Sequence, residues 1–577
     1  MKTNKVQRPK SNVQSQQRVP DFGRWTLDIG RVFYCLFTIA FCFSVCLPVV
    51  AQRTKQRRPA SVAPRAVEAG GTELSTAAQG ALDAALAALK QNSLAEAERS
   101  ARAAVAAAPQ SAQTHNILGV ILDRQGRRDE AVVQFNTAIG RDPNFVSARN
   151  NLGRILAESG KTKEAIAEFE RVLKIDPAHS QAHYNLGALY GQAGDFVKAA
   201  EYFAHARESA PDDPQLALAF LNVAYRANRQ AETESAADLV ERSAASDARA
   251  LFALATVLAQ NKQYERAARV FARVNELVPN TYEILYNLGV ALYNLDRNDE
   301  AARYLAEAAD LNPAPAETHF RLGLIASARN DYTNAVEEFK HAVERQPKES
   351  NYHYMLGREY YRAGFLDGAI NEFTRAIEIE PKHAVYVLAR ADANYRKGEA
   401  AASAADFDFA ATLDPNNETI EYWQGYAHRV AGNFDLARQY LEKFVTRHPD
   451  HVEALASLGF VNIETGRLED AEAPLNRGLS LDPKNVPLLY DYARLAVKRR
   501  NYAEAVTRLR RLIDIYPAHT QAHYQLFLAY SRLKQTEKAQ IELAEFKRLE
   551  ALEKQVKQER IQDDKLRTQQ MLGQSPQ

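Results

Sequence analysis

Cysteine is almost missing from this chain of 577 residues: there are three, Cys35, Cys42 and Cys46, and all lie in one apolar run from Val32 to Ala51. A large body without thiols suits an oxidising compartment, where an unpaired cysteine is a hazard. Net charge is nearly missing too. Lys plus Arg number 73 and Asp plus Glu 72, so the formal charge of +1 gives no overall pull toward nucleic acid or an anionic surface. Neither apolar residues at 46% nor charged residues at 25% are in excess. These values exclude wholesale disorder, a collagen-like chain and a polytopic membrane protein.

The small total hides unlike parts. Residues 1–31 hold seven basic and two acidic side chains and residues 52–66 hold five basic ones, which leaves 61 against 70, or −9, for residues 67–577. A basic arm (1–31) thus precedes the uncharged run 32–51, and a basic linker rich in Pro and Gly (52–77) follows it. The run supports two readings. As a signal peptide it would break at Pro48 and be cleaved after Ala51, with Val49 and Ala51 as the small residues before the cut. As a retained anchor it is long enough to cross a hydrocarbon core of about 30 Å. Either reading exports the body, to a periplasmic or extracellular site or to the outer side of a membrane, with membrane contact only through residues 32–51 if uncleaved.

Everything beyond the linker is periodic. Proline recurs at 109, 143, 177, 211, 279, 313, 347, 381, 415, 449, 483 and 517, every gap being 34 except one double gap, where Ala245 stands at the missing site. A Leu-Gly pair falls ten residues on, as in Leu118-Gly119, Leu152-Gly153, Leu186-Gly187 and Leu322-Gly323. Alanine then recurs at 131, 165, 199, 267, 301, 335 and 369, and four residues later comes Phe135, Phe169, Phe203, Phe271, Phe339, Phe373 or Phe407, then Leu441, Leu475 and Leu509. The small residue lets two helices approach, and the step of four places Ala and Phe on one face of the second helix. A turn residue that tolerates positive φ separates them, for example Gly126, Gly364 or Asn330, and proline closes the unit. Such a hairpin cannot bury both its faces alone, so the units must stack.

This pattern resembles the tetratricopeptide repeat family. The resemblance implies an all-α, right-handed superhelical solenoid of stacked helix-turn-helix hairpins: fourteen units over residues 78–553, then a charged helical extension and tail, 554–577. The unit at 214–247 departs from the pattern, with Leu221, Thr233, Ala237 and Ala245 at signature positions; it reads as drift in a tolerant unit, with a hinge as the alternative. After Leu543 the last helix is expected to continue through Phe546, Leu549, Leu552 and Val556.

The pieces outside the array, 77 and 24 residues long, cannot hold a catalytic domain. No phosphate loop, nucleophile triad or paired-carboxylate motif stands out, and neither an enzymatic activity nor a cofactor is expected. His115, His183, His319, His353 and His523 share the fourth repeat position without ligand spacing and read as packing residues, not metal ligands. The fifth position, which in this family faces the concave groove, is aromatic in eight units: Tyr184, Phe252, Tyr286, Phe320, Tyr354, Tyr422, Tyr490 and Tyr524. Nearby groove positions add Arg321, Arg358, Tyr361, Arg362, Tyr395 and Arg396. Tyrosine and arginine often dominate binding energy, so this stripe is expected to hold an extended peptide or an acidic polymer. In the competing reading, the rings pack between helices and the arginines pair with nearby acids. Asn151, Asn185 and Asn287 occupy the sixth position, too few to form a backbone-holding row. The Lys/Asn, Asn, Lys/Arg clamp that some relatives use on C-terminal peptides is absent. The expected function is an exported, non-enzymatic scaffold in a bacterial-type cell-envelope assembly, with protein or peptide partners in the groove. The alternative is an adaptor for polysaccharide secretion, with the aromatic ladder on a glycan.

Overall fold

The computed structural model describes residues 74–572. The arm and the apolar run lie outside the described residues, as do nearly all of the linker and the last five positions. Among the described residues there are 28 helices and no strand. They form two compact units, 74–312 and 313–572, each of seven hairpins.

One hairpin of the second unit shows how the repeat folds. Its first helix runs Ser350–Arg362 and its second Leu366–Ile379. Gly364, at φ +85°, turns the chain between them, a conformation that costs a residue with Cβ about 1 kcal/mol or more. Gly357 lies against Phe373: a Cβ built there would sit 2.8 Å from the ring. The same contact recurs between Gly323 and Phe339 at 2.8 Å and between Gly153 and Phe169 at 2.9 Å. Where Gly and Phe recur at this spacing they lock the two helices of the hairpin together, with the ring buried where the glycine leaves room. Glu380 then takes an extended conformation, φ −132°, as the residue before Pro381 must, and the next helix, Ala384–Lys397, begins.

The unit 74–312 starts with the hairpin Thr76–Lys90 and Leu94–Ala107, whose alanines Ala85, Ala97, Ala101 and Ala104 are fully buried or nearly so. Its core runs without a break from Leu82 to Ile155. The divergent hairpin keeps the fold with smaller side chains: helices Pro214–Ala224 and Gln230–Ser243 bury Leu221, Thr233 and Ala237 completely. Asp213 caps the first of them, accepting from the backbone N–H of Gln215 and Leu216.

The unit 313–572 ends in a helix of 37 residues, Thr536–Leu572, in which Leu549 is buried while Leu552 and Val556 are exposed. The helix continues through Phe546, Leu549, Leu552 and Val556 and leaves the core after Leu549. Within each unit, most first helices of successive hairpins touch one another, whereas second helices pack chiefly against their neighbours along the chain. The more closely spaced row lies on the inner side of the local bend, so side chains on the first helices line that side.

Candidate partner-binding face

The fifth-position rings do not form one exposed stripe. Phe320, Tyr354 and Tyr422 are 2%, 5% and 4% exposed. Phe320 packs on Phe339 of its own hairpin at 5.5 Å and on Tyr352 of the next at 4.6 Å. Tyr354 lies 5.9 Å from Phe373 and 5.1 Å from Tyr386, and Tyr422 lies 5.5 Å from Phe444. At these three positions the rings are packing side chains within and between hairpins. Burial raises the pKa of Tyr422, which stays a neutral phenol. Tyr422 also lines a cavity of about 240 Å³ with Glu418, Thr419, Phe444, His448 and His451. Tyr184, Phe252 and Tyr286 belong to the other unit. Tyr184 meets Phe203 edge-on, Phe252 meets Phe271 in the same way, and Tyr286 stacks on Tyr282, each at 5.5–5.8 Å. Tyr490 and Tyr524 are half-buried, against His519 at 4.8 Å and Phe546 at 5.1 Å.

Arg321 is likewise internal, 5% exposed and paired with Glu317 at 2.8 Å. A buried, locally neutralised guanidinium has little left for a partner.

The structure does bring together a different set of inner residues in the unit 313–572. They occupy the ninth, twelfth and thirteenth positions of the first helices, and each meets an adjacent hairpin. The Tyr361 hydroxyl donates to Asp392, and Arg396 lies over the Tyr361 ring at 4.3 Å. Tyr395 and Tyr426 share a hydrogen bond at 3.0 Å. Arg429 sits over Tyr426 at 4.6 Å and over Phe460 at 5.1 Å, and Arg494 lies 5.2 Å from Phe460 and 5.8 Å from Tyr490. Arg494 also bonds Glu464 and Asp491. Most of these side chains are half-buried, and Arg396 is exposed. The result is a ladder of alternating rings and guanidiniums across five successive hairpins, each cation–π contact being worth about 0.5–2 kcal/mol. Burial, followed by the neighbouring Tyr426 hydroxyl, raises the pKa of Tyr395, which remains a hydrogen-bonding phenol. Tyr361, Tyr395 and Arg396 were legible in the sequence. Tyr426, Arg429, Phe460 and Arg494 were not, and the signal that finds them is the fixed step from a twelfth position to the ninth position of the next unit.

Three of the fourth-position histidines, His115, His353 and His523, bridge the second helix of their hairpin and the carbonyl of the proline before it, whereas His183 Nδ1 and His319 Nε2 have no partner. His353 is buried, with Nδ1 2.7 Å from Glu372 and Nε2 3.1 Å from the Pro347 carbonyl. A carboxylate on one side and a carbonyl on the other favour the ring with both nitrogens protonated. Burial alone would lower its pKa, but the bonds to Glu372 and Pro347 outweigh this and raise it. His523 repeats the arrangement with Glu542 and Pro517. Among the described residues no group of three or more His, Cys, Asp or Glu could hold a metal ion. No described helix is long and apolar enough to cross a membrane.

Stacked hairpins with a lined inner face define a helical-repeat scaffold. One tetratricopeptide repeat model matches residues 82–144, 122–180, 286–350, 354–418 and 422–486, and two others match 156–221 and 488–519. The chain belongs to the tetratricopeptide repeat family. Residues 228–308 match a model described as anaphase-promoting complex, cyclosome, subunit 3. No curated protein matches the chain. Among solved structures, it is similar to the C-terminal part of a repeat protein from Cytophaga hutchinsonii at 20% identity, covering 42% of this chain and 98% of that one, with a TM-score of 0.37. Pseudomonas aeruginosa pilF is 22% identical over 36% of this chain and 95% of its own, with a TM-score of 0.32. A chain of the APC/C hetero-tetramer Cut9-Hcn1 is 14% identical over 79% of this chain and 97% of its own, with a TM-score of 0.30. At TM-scores below 0.5 none of these bears on what this chain does.

Proposed function

We propose that this protein is a non-catalytic scaffold that holds a protein partner along the inner face of residues 313–572. The ladder from Tyr361 through Tyr395, Tyr426, Arg429 and Phe460 to Arg494 carries this reading. Rings and guanidiniums fixed on rigid helices present area and hydrogen-bonding edges at small entropic cost, the conditions under which a few residues dominate an interface. A photo-crosslinking residue beside Phe460 should trap a partner in the native source. The Tyr395→Ala/Phe460→Ala pair should reduce recovery by about tenfold or more, since each truncated anchor typically costs over 1 kcal/mol. Undiminished recovery with unchanged helical circular dichroism would overturn the proposal. If the same variants instead abolish retention of a glycan and no protein is trapped, the adaptor for polysaccharide secretion replaces it.

The same proposal puts the array outside the cytoplasm, in an envelope assembly. The uncharged run 32–51 and the thiol-free body support that placement. Intact mass of the protein purified from its native envelope should match either a chain beginning at Gln52 or one that retains the run. Recovery of the full-length chain from the cytosol would sink the export reading.

A further inference from the structure

One place on this face holds more positive charge than the fold consumes. Glu359 is 0% exposed, and its Oε1 accepts from Ser327 Oγ at 2.8 Å, from Arg358 at 3.3 Å and from Arg362 at 3.4 Å. Its Oε2 has no partner, nor has Nε of Arg358. Arg362 also donates to Ser327 Oγ at 3.1 Å. A step of four residues puts both arginines on one side of the helix Ser350–Arg362. A single carboxylate oxygen thus serves two guanidiniums, each with five donors, at distances beyond the 2.7–2.9 Å or so of a tight charged hydrogen bond. On Ala384–Lys397, the first helix of the next hairpin, the exposed Arg396 rests on the Tyr361 ring and is in no ion pair among the described residues, while Asp392 is engaged by the Tyr361 hydroxyl. Three cations against two carboxylates leave +1 on a body that carries −9 over residues 67–577.

We infer that Arg358, Arg362 and Arg396 form a docking point for a carboxylate on an acidic segment of the partner, with Glu359 and Ser327 holding two of the guanidiniums in place. The inference rests on the partner-face reading above and adds the partner's chemistry. Arginine forks match a planar carboxylate with two parallel N–H···O bonds. The two carboxylates already present keep the local excess to one charge, which suits a carboxylate better than a polyphosphate chain. Tyr361 and Tyr395, on the same helices, offer rings to the peptide on either side of that group.

The test uses the whole chain and two short fluorescent peptides, one rich in glutamate and one with glutamine at the same places, compared by anisotropy at low ionic strength. The glutamate peptide should bind about tenfold more tightly than its glutamine twin, with affinity falling as salt is added. Arg362→Gln/Arg396→Gln should erase that preference. Arg375→Gln, which alters an exposed arginine of the helix Leu366–Ile379, should leave it unchanged. Arg358 is left in place so that Glu359 keeps a counter-charge and the variant folds. Equal affinity for the two peptides, or a preference that survives the double substitution, would overturn the inference. If neither peptide binds while Tyr395→Ala/Phe460→Ala still loses the crosslinked partner, the acidic docking point falls and the scaffold reading stands.

Discussion

Replacing Phe373 with alanine is expected to cost about 3–5 kcal/mol and to open its own hairpin before any distant one. The ring is 2% exposed and fills the space opposite Gly357, whose missing Cβ would otherwise lie 2.8 Å away. A glycine has no side chain with which to collapse into the void, so the cavity term should sit near the top of its range. Phe373→Leu should cost much less, because the hairpins with Gly425 against Leu441 and Gly459 against Leu475 already use that pairing. In a stack, each hairpin is held by its own interior and by its neighbours. Hydrogen exchange should therefore accelerate across residues 350–379 and fade outward, while Val486–Lys498 and Tyr502–Ile515 keep their protection. Simultaneous loss of protection everywhere would show that the array melts as one block.

The second large effect has the opposite sign. Asp491→Asn should stabilise the helix Val486–Lys498 at neutral pH by up to about 3 kcal/mol and do nothing below pH 4. Burial pushes the Asp491 carboxyl up to about 6, and the attraction of Arg494 only partly opposes it. The raised folded pKa means that the native state binds the proton more tightly than the unfolded chain, whose carboxyl titrates near the usual value of about 4. Stability from this group is thus fully present below about pH 4 and is lost as pH rises through about 6. Asparagine keeps the shape and never ionises, and Arg494 retains Glu464 as its partner. Exchange protection measured at pH 4 and pH 8 decides the matter. A variant weaker than the parent at pH 8 would show that the Asp491 to Arg494 ion pair outweighs the cost of burying the charge.

The hairpins were legible in the sequence because their contacts repeat with one residue type: glycine at 323 and 357, phenylalanine at 339 and 373, proline at 347 and 381. The inner ladder was only half legible, because its geometry repeats while its chemistry does not. The ninth position is Asp392, Tyr426, Phe460 and Arg494 in four successive units, and no periodic signal survives such variety. The fifth position misleads for the converse reason. Its aromatics do recur, but at 320, 354 and 422 a large ring on the second helix or the next hairpin comes close enough to take them inside. At Arg321 the competing reading holds: Glu317, one turn earlier on the same helix and visible in the sequence, pairs with it, and what the sequence did not show is its burial.

The reliance of each hairpin on its immediate neighbours has a mechanical consequence. Among the described residues the helices of each unit pack chiefly against those adjacent or next but one along the chain, so a pull is expected to load one interface at a time. Each hairpin that yields frees 34 residues, or about 110–120 Å of contour at full extension. Each unit of seven hairpins is thus expected to lengthen in nearly equal steps and to recover them one by one.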